Sequence, residues 1–217
     1  MKKNGCMLIG LCGRSGAGKG YVSEIFAQYG IPAVDTDQVY RDMTAPSDTL
    51  SPCMRALVER FGREAANDDN SLNRAVMRKL VFSGDKQALA DLNRITHALI
   101  LEETKKIAAE LYKNGSDIVL IDAPLLFESG FDAMCEAVVC VTAPEQTLIR
   151  RIIRRDGLSE DDAKKRLAVQ KTVAELEDRA DFVISNDAEY EIMLLRVKEC
   201  ADALRKIRGE RYESYEF

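Results

Sequence analysis

Several common patterns are missing from this sequence, and each absence narrows the possible functions. The six cysteines form no C-x-x-C pair and lie scattered at positions 6, 12, 53, 135, 140 and 200. That scatter predicts neither a disulfide framework nor a zinc site, and it favours a reducing cytoplasm as the setting. No apolar stretch approaches the length of a membrane span. The run MLIGLC near the N-terminus is too short for the core of a signal peptide.

An excess of basic residues is also missing. The net charge is −5, which argues against a nucleic-acid-binding protein, so any positively charged site must be local. Hydrophobic residues make up 46% and charged residues 31% of the chain, as is ordinary for a soluble globular enzyme. Its 217 residues suffice for one large domain, or for a core with one or two insertions.

Five short segments, each with an apolar core, indicate β-strands. They are residues 6–13, 31–37, 116–126, 136–143 and 181–185. Continuous apolar strands with helices between them are typical of a parallel sheet that is covered on both faces. The predicted fold is therefore α/β, a doubly wound parallel sheet of five strands.

Two long segments interrupt the predicted sheet. Residues 38–115 are mostly helical in pattern and too long for a simple crossover, so they predict an inserted helical lobe that holds a substrate. Residues 150–178 are polar, follow the fourth strand and predict a lid. The nucleotide-binding core would then comprise residues 1–37, 116–149 and 179–217.

The segment GRSGAGKGYV, residues 13–22, contains G-x-x-x-x-G-K, the signature of a phosphate-binding loop. It lies between a predicted strand and a predicted helix, as the signature requires. Backbone N–H groups of the turn and of the helix N-terminus would point at the phosphates, and Lys19 would reach the β- and γ-phosphates. The alternative is a purely structural glycine turn. The residues predicted to bind nucleotide are Gly13, Ser15, Gly16, Ala17, Gly18, Lys19, Gly20 and Tyr21.

This loop departs from the signature at its eighth position. Ser or Thr there would give an oxygen to Mg²⁺, but the chain has Gly20. Ser23 lies one helical turn further on, about 4.5 Å along the axis, which is too far for a direct bond of about 2.1 Å. Because Mg²⁺ commonly keeps several waters, we expect a working site in which water, helped by Asp122 or Asp35, replaces the hydroxyl.

Acidic residues follow the second and third predicted strands, at the edge where open α/β sheets bind ligands. We predict Asp35 as the base or orienter of an attacking hydroxyl, and Asp37 as the cap or support of a helix that begins near Gln38. On an extended chain these two carboxylates would point the same way. Asp122 has two readings: it holds Mg²⁺, or it shapes the turn before Pro124.

The segment LIRRIIRRD, residues 148–156, predicts an amphipathic helix. Leucine and isoleucines share one arc, and the opposite arc carries Arg150, Arg151, Arg154 and Arg155. Arginine forks suit phosphate oxygens and stabilise charge during transfer, while the alternative is a solvated helix face. The segment SEDD then predicts a second helix capped by Ser159. A helix, a turn and a second helix would form a mobile lid.

Six further sequence segments follow the phosphate loop along the chain in a specific order. They are GIPAVDTDQVYR (30–41), LNRAVMRKLVF (72–82), THALI (96–100), APLLFESG (123–130), RIIRRDGLSEDDAKKRLAVQ (151–170) and ADFVISN (180–186). Each alone is a weak signal, but PLLFE in this order with the others is specific. Together they resemble the dephospho-CoA kinase family, from residue 7 to about residue 187.

The resemblance implies a P-loop kinase-like fold with a core, a helical CoA lobe and a lid. It implies an enzyme that uses ATP and Mg²⁺ to phosphorylate the ribose 3′-hydroxyl of dephospho-CoA, the last step of coenzyme A biosynthesis. The implied catalytic residues are Lys19, Asp35, Arg151 and Arg155. The implied substrate contacts are Asp35, Arg41, Arg74, His97 and Glu128. A structural role is the alternative for His97, and a turn-shaping role is the alternative for Glu128.

Two departures from the family pattern affect these expectations. The family has K-S-T where this chain has Lys19, Gly20 and Tyr21, so the handling of the metal ion is in question. Tyr21 is bulkier than Thr and either faces the nucleotide base or packs inward. The family also has proline after the histidine, where this chain has Ala98, and its loss would only loosen a local turn.

Three functions compete at this point. The first is the active dephospho-CoA kinase. The second is a kinase of the same fold for another small molecule or a nucleoside monophosphate. The third is a non-catalytic nucleotide-binding protein, in which Gly20 marks lost chemistry. For the first, the expected partner is dephospho-CoA, with no nucleic acid and no membrane, and the cytoplasmic chain would be a monomer or a weak homo-oligomer.

Overall fold

Five short apolar segments spread along the chain form the predicted sheet. The computed structural model describes residues 5–82 and 86–213. Its five strands are β1 (Met7–Cys12), β2 (Ala33–Asp35), β3 (Ile118–Asp122), β4 (Ala137–Thr142) and β5 (Phe182–Ser185). They lie in the order β2-β3-β1-β4-β5, and β1 pairs in parallel with both β3 and β4. The predicted five-stranded parallel sheet is confirmed.

Helices alternate with these strands along the chain. They are α1 (Lys19–Gln28), α2 (Thr36–Met43), α3 (Pro52–Phe61), α4 (Arg74–Phe82), α5 (Lys86–Lys113), α6 (Glu145–Asp156), α7 (Glu160–Ala168), α8 (Val173–Glu177) and α9 (Tyr190–Glu213). Every residue of β4 is buried, and Ala137, Val139 and Val141 share one core with apolar residues of α1, α6, α7 and α9. Burying both faces of the sheet explains why its strands read as continuous apolar runs.

The chain divides into two compact units. One contains residues 1–34 and 107–217, and the other contains residues 35–106. The first holds the core of the sheet, whereas the second has an apolar core of its own around Cys53, Leu57 and Phe61. The assignment of residues 38–115 to a substrate lobe and of residues 150–178 to a lid stays a prediction.

Two local expectations were wrong at the end of β2. The strand stops at Asp35, whereas we expected it to run to residue 37, and α2 begins at Thr36 rather than near Gln38. The reason is the Asp35 carboxylate, which accepts hydrogen bonds from the backbone N–H groups of Asp37 and Gln38. Asp35, not Asp37, is therefore the helix cap, and the two carboxylates do not lie on one extended strand.

The predicted start of the second lid helix is confirmed. Ser159 accepts a hydrogen bond from the backbone N–H of Asp162 at the start of α7. Sequence reasoning missed the third helix, α8. Its signal is a capping box, in which Thr172 and Glu175 each accept from the backbone N–H of the other, a T-x-x-E pattern that can be read from sequence. No helix in the described part of the chain is long and apolar enough to cross a membrane.

Candidate active site

The phosphate loop connects β1 to α1, as the sequence predicts, and its backbone geometry requires glycine. Gly18 caps α1 with φ 88° and ψ 36°, and a Cβ built there would lie 2.2 Å from Asn186 Nδ2. A Cβ on Gly13 would lie 2.4 Å from the carbonyl oxygen of Val141. No side chain in the described part of the chain caps the N-terminus of α1, so its first N–H groups remain available to an anion, as in phosphate-binding loops.

Lys19 lies beside Asp122 at the carboxyl end of the sheet. The register between β1 and β3 pairs Leu11 with Asp122, which places this carboxylate level with the start of the loop. Lys19 Nζ is 3.8 Å from Asp122 Oδ1, and the two side chains are only 15% and 16% exposed. Both readings of Asp122, as a metal ligand and as the residue that shapes the turn before Pro124, stay predictions.

Gly20 leaves open space where the usual hydroxyl would stand. A Cβ built on Gly20 meets nothing within 4 Å, so the surroundings do not exclude a side chain there. Ser23 Oγ is buried without a hydrogen-bond partner among the described residues. That part of the chain contains no cluster of three or more His, Cys, Asp or Glu side chains that could hold a metal ion. The Asp122 carboxylate beside Lys19 fits an ion that keeps most of its waters.

Arg151 binds the phosphate loop instead of facing solvent. Its Nη1 donates to the carbonyl oxygens of Gly16 and Ala17, both at 3.3 Å, and its Nη2 donates to the carbonyl oxygen of Asn186 at 3.0 Å. Asn186 Nδ2 donates to the same Ala17 carbonyl at 2.7 Å. These bonds fix the loop from behind. Sequence reasoning did not select Asn186, and the signal for it was a polar residue directly after the apolar strand β5.

Arg155 also lies beside the loop, but it pairs with a carboxylate instead of donating to the loop carbonyls. Its guanidinium is paired with Asp156 through Nε at 2.8 Å and Nη2 at 2.9 Å, and Nη2 is 3.4 Å from Ser15 Oγ. Asp156 also pairs with Arg166 of α7. These two cations, with the hydrogen bonds from Arg155 as the largest cause, lower the pKa of Asp156 to about 2. A charged, exposed arginine is thus held beside the loop.

The other predicted residues of the first unit make different contacts. Tyr21 does not pack inward: its side chain is exposed, and its ring centroid is 6.4 Å from that of Tyr190. Glu128 lies in the turn after β3 and pairs with Lys171, with Nζ 3.7 Å from Oε1. Arg150 bonds within its own helix, to Gln146 and Thr147.

Within the second unit, Asp35 is an exposed residue whose two carboxylate oxygens have different partners. Oδ1 accepts from the backbone N–H groups of Asp37 at 2.8 Å and Gln38 at 3.0 Å. Oδ2 is 3.4 Å from Nη2 of Arg41. One oxygen therefore serves the helix cap, and the other faces a cation with room for a further partner.

Arg74 and His97 lie on different helices of that unit. Arg74 is exposed at the first residue of α4. His97 is half-buried in α5, and this burial lowers the pKa of its imidazole below the ordinary 6.5. His97 is therefore neutral near pH 7, and the structure gives each of these residues a position without testing its predicted role.

A glycine loop with its lysine between the first strand and the first helix, in a parallel sheet of this order, defines the class of P-loop kinases. Comparisons with known proteins then narrow the class. A family model described as dephospho-CoA kinase matches residues 7–191. A dephospho-CoA kinase of Syntrophotalea carbinolica is 39% identical over 185 residues, which cover 85% of this chain and 86% of that protein. The chain belongs to the dephospho-CoA kinase family, and it is a kinase.

Solved structures agree with this fold. TT1252 from Thermus thermophilus is 25% identical with a TM-score of 0.71, and the match covers 92% of this chain and 98% of that one. A dephospho-CoA kinase from Campylobacter jejuni is 23% identical with a TM-score of 0.63, over 94% of this chain and 98% of that one. At this identity the second likeness is evidence for the fold alone.

Proposed function

We propose that this chain transfers the γ-phosphoryl group of ATP to the ribose 3′-hydroxyl of dephospho-CoA, giving coenzyme A. The observation that carries the proposal is the phosphate loop between β1 and α1, with Lys19 beside Asp122 at 3.8 Å, in a chain that matches the family over residues 7–191. A purely structural glycine turn does not require a half-buried cation at this position.

The phosphate loop binds and orients the triphosphate. Its free N–H groups and Lys19 contact the phosphate oxygens, while Arg151 and Asn186 keep the loop carbonyls turned away from those anions. Arg155, exposed beside Ser15, is the residue that neutralises charge as the phosphoryl group moves. Arg151 supports catalysis by positioning the loop, because both of its terminal nitrogens donate to carbonyl oxygens.

Asp35 is the proposed base. Its Oδ1 is occupied by the helix cap, so Oδ2 is the oxygen that accepts the proton of the attacking 3′-hydroxyl. Arg41, Arg74, His97 and Glu128 are proposed contacts for dephospho-CoA, with the two arginines suited to its phosphates. His97 enters as a neutral imidazole, because burial lowers its pKa.

ATP would be the phosphate donor, and Mg²⁺ would supply positive charge that offsets the charge of its phosphates. Asp122 is the residue that would hold this ion, through water or directly. Residues 38–115 would bind the acceptor and residues 150–178 would close over ATP as a lid. We further propose that the chain works in the cytoplasm, as a monomer or a weak homo-oligomer, without nucleic acid.

A coupled ADP-release assay across a Mg²⁺ series tests the acceptor. Dephospho-CoA should give turnover, whereas AMP and gluconate should not. Turnover with AMP or gluconate but not with dephospho-CoA would identify a different kinase. ATP binding without turnover at any Mg²⁺ concentration would identify a non-catalytic protein.

Asp35→Asn tests the base without removing the helix cap. Asparagine caps a helix about as well as aspartate, so the melting temperature should stay close to that of the wild type. Turnover should fall by about 10²- to 10⁴-fold, the usual contribution of a positioned base. Near wild-type turnover would remove Asp35 from this role. Asp35→Ala is the matched variant that loses both functions.

A further inference from the structure

The end of α7 attaches to the phosphate loop through two consecutive loop residues. Arg14 Nη2 donates to the carbonyl oxygen of Leu167 at 2.6 Å, and the backbone N–H of Ser15 donates to Gln170 Oε1 at 3.0 Å. The first bond places a cation at the C-terminal end of a helix, where the unpaired carbonyls favour positive charge. Both contacts join the predicted lid directly to the nucleotide site.

Polar contacts hold this part of the lid. The Leu167 side chain is buried in the core, but no side chain from residue 168 to residue 175 is buried. Val169, directly before Gln170, is 86% exposed. Beyond Gln170, Lys171 pairs with Glu128 at 3.7 Å between two partly exposed side chains, and such a pair contributes little. Gln170 is therefore the main anchor of the segment.

Gln170 contacts the phosphate loop, which must be rigid to bind phosphate. Arg151 and Asn186 fix the carbonyls of Gly16 and Ala17, whereas the bond from Gln170 fixes the backbone of Ser15. A loop held at both places loses less conformational freedom when it binds an anion, which favours binding.

We propose that Gln170, together with Arg14, is a positioning residue that ties the lid to the phosphate loop and pre-orders that loop for ATP. The proposal rests on the proposed function in that the loop binds ATP, but it adds residues that contact neither ATP nor the acceptor. It predicts that the contact governs nucleotide affinity, and that the affinity for dephospho-CoA is independent of it.

The test compares Gln170→Ala with Val169→Ala, its exposed neighbour in the same segment. Binding of a fluorescent ATP analogue is measured without any acceptor, together with hydrogen exchange of peptides that cover Ser15. Gln170→Ala should weaken binding about threefold to tenfold, as expected for the loss of one hydrogen bond, and should speed exchange of the Ser15 amide. Val169→Ala should change neither quantity.

Gln170→Glu keeps an acceptor oxygen at the same place and should restore slow exchange at Ser15, which a general loss of stability would not do. Steady-state kinetics of Gln170→Ala should show a raised KM for ATP and an unchanged KM for the acceptor. Wild-type affinity for the analogue in Gln170→Ala, or an equal loss in Val169→Ala, would overturn the proposal. Because binding of the ATP analogue is measured without an acceptor, this test of Gln170 does not depend on whether the chain phosphorylates dephospho-CoA.

Discussion

Gly20→Ser is the substitution that examines the unusual phosphate loop most closely. Gly20 is the second residue of α1, its φ is not in the left-handed region, and a Cβ there meets nothing within 4 Å. A serine therefore fits without strain. It restores the hydroxyl that phosphate loops commonly give to Mg²⁺, at a site where Asp122 is the acidic side chain beside Lys19.

The size of the effect follows from exchanging one bound water for a fixed protein oxygen. Immobilising a water costs up to about 2 kcal/mol, and we take about half of that as the gain. A gain of about 1 kcal/mol corresponds to a roughly fivefold lower Mg²⁺ concentration at half-maximal turnover. The substitution should also stabilise α1 slightly, because glycine within a helix costs up to about 1 kcal/mol relative to alanine.

The assay is ADP release at saturating ATP and acceptor across a Mg²⁺ series, and Gly20→Ala is the matched control. Alanine makes the same change to the helix without adding an oxygen, so it should raise the melting temperature but leave the Mg²⁺ dependence as it is. If serine and alanine act alike, or if serine leaves the Mg²⁺ dependence unchanged, water does not replace the hydroxyl in the way we propose.

Three further substitutions test the loop, the lid and the helical unit. Gly18→Ala forces alanine into a left-handed conformation and against Asn186 Nδ2 at 2.2 Å, so it should lower the melting temperature and weaken binding of the ATP analogue. Asp156→Asn removes the carboxylate that Arg155 holds at a pKa of about 2. Because that folded-state pKa is depressed, the stability difference from the wild type should be full above about pH 4 and shrink towards pH 2 in thermal melts. Burial lowers the pKa of His97, so the unfolded imidazole takes up its proton at a higher pH than the folded one, and the wild type loses stability below about pH 6.5. His97→Gln should remove this pH-dependent loss of stability.

The sheet could be predicted from the sequence because burial on both faces leaves long apolar runs that little else explains. The end of β2 could not be predicted from apolarity. There, a single carboxylate decides the boundary, since Asp35 caps α2 and so starts the helix at Thr36. Because positions 35 and 37 are both aspartate, the sequence does not indicate which of them caps the helix. The start of α8 is easier to predict, because its capping box contains both Thr172 and Glu175.

The arginine helix shows why only part of the site was predictable. Helical periodicity correctly places the apolar residues of α6 in the core, and it leaves the arginines together on the other face. It does not distinguish Arg151, which binds carbonyl oxygens of the loop, from Arg155, which is paired with Asp156. The role of Arg151 depends on contacts with residues far away in sequence, and Asn186 was missed for the same reason.

The identity of the phosphorylated group is the most direct test of the proposed reaction. ³¹P NMR of a mixture of the protein, ATP, Mg²⁺ and dephospho-CoA should show ADP and a new phosphomonoester on the ribose 3′-oxygen in equal amounts. A phosphate at any other position, or ADP without a new ester, would contradict the account.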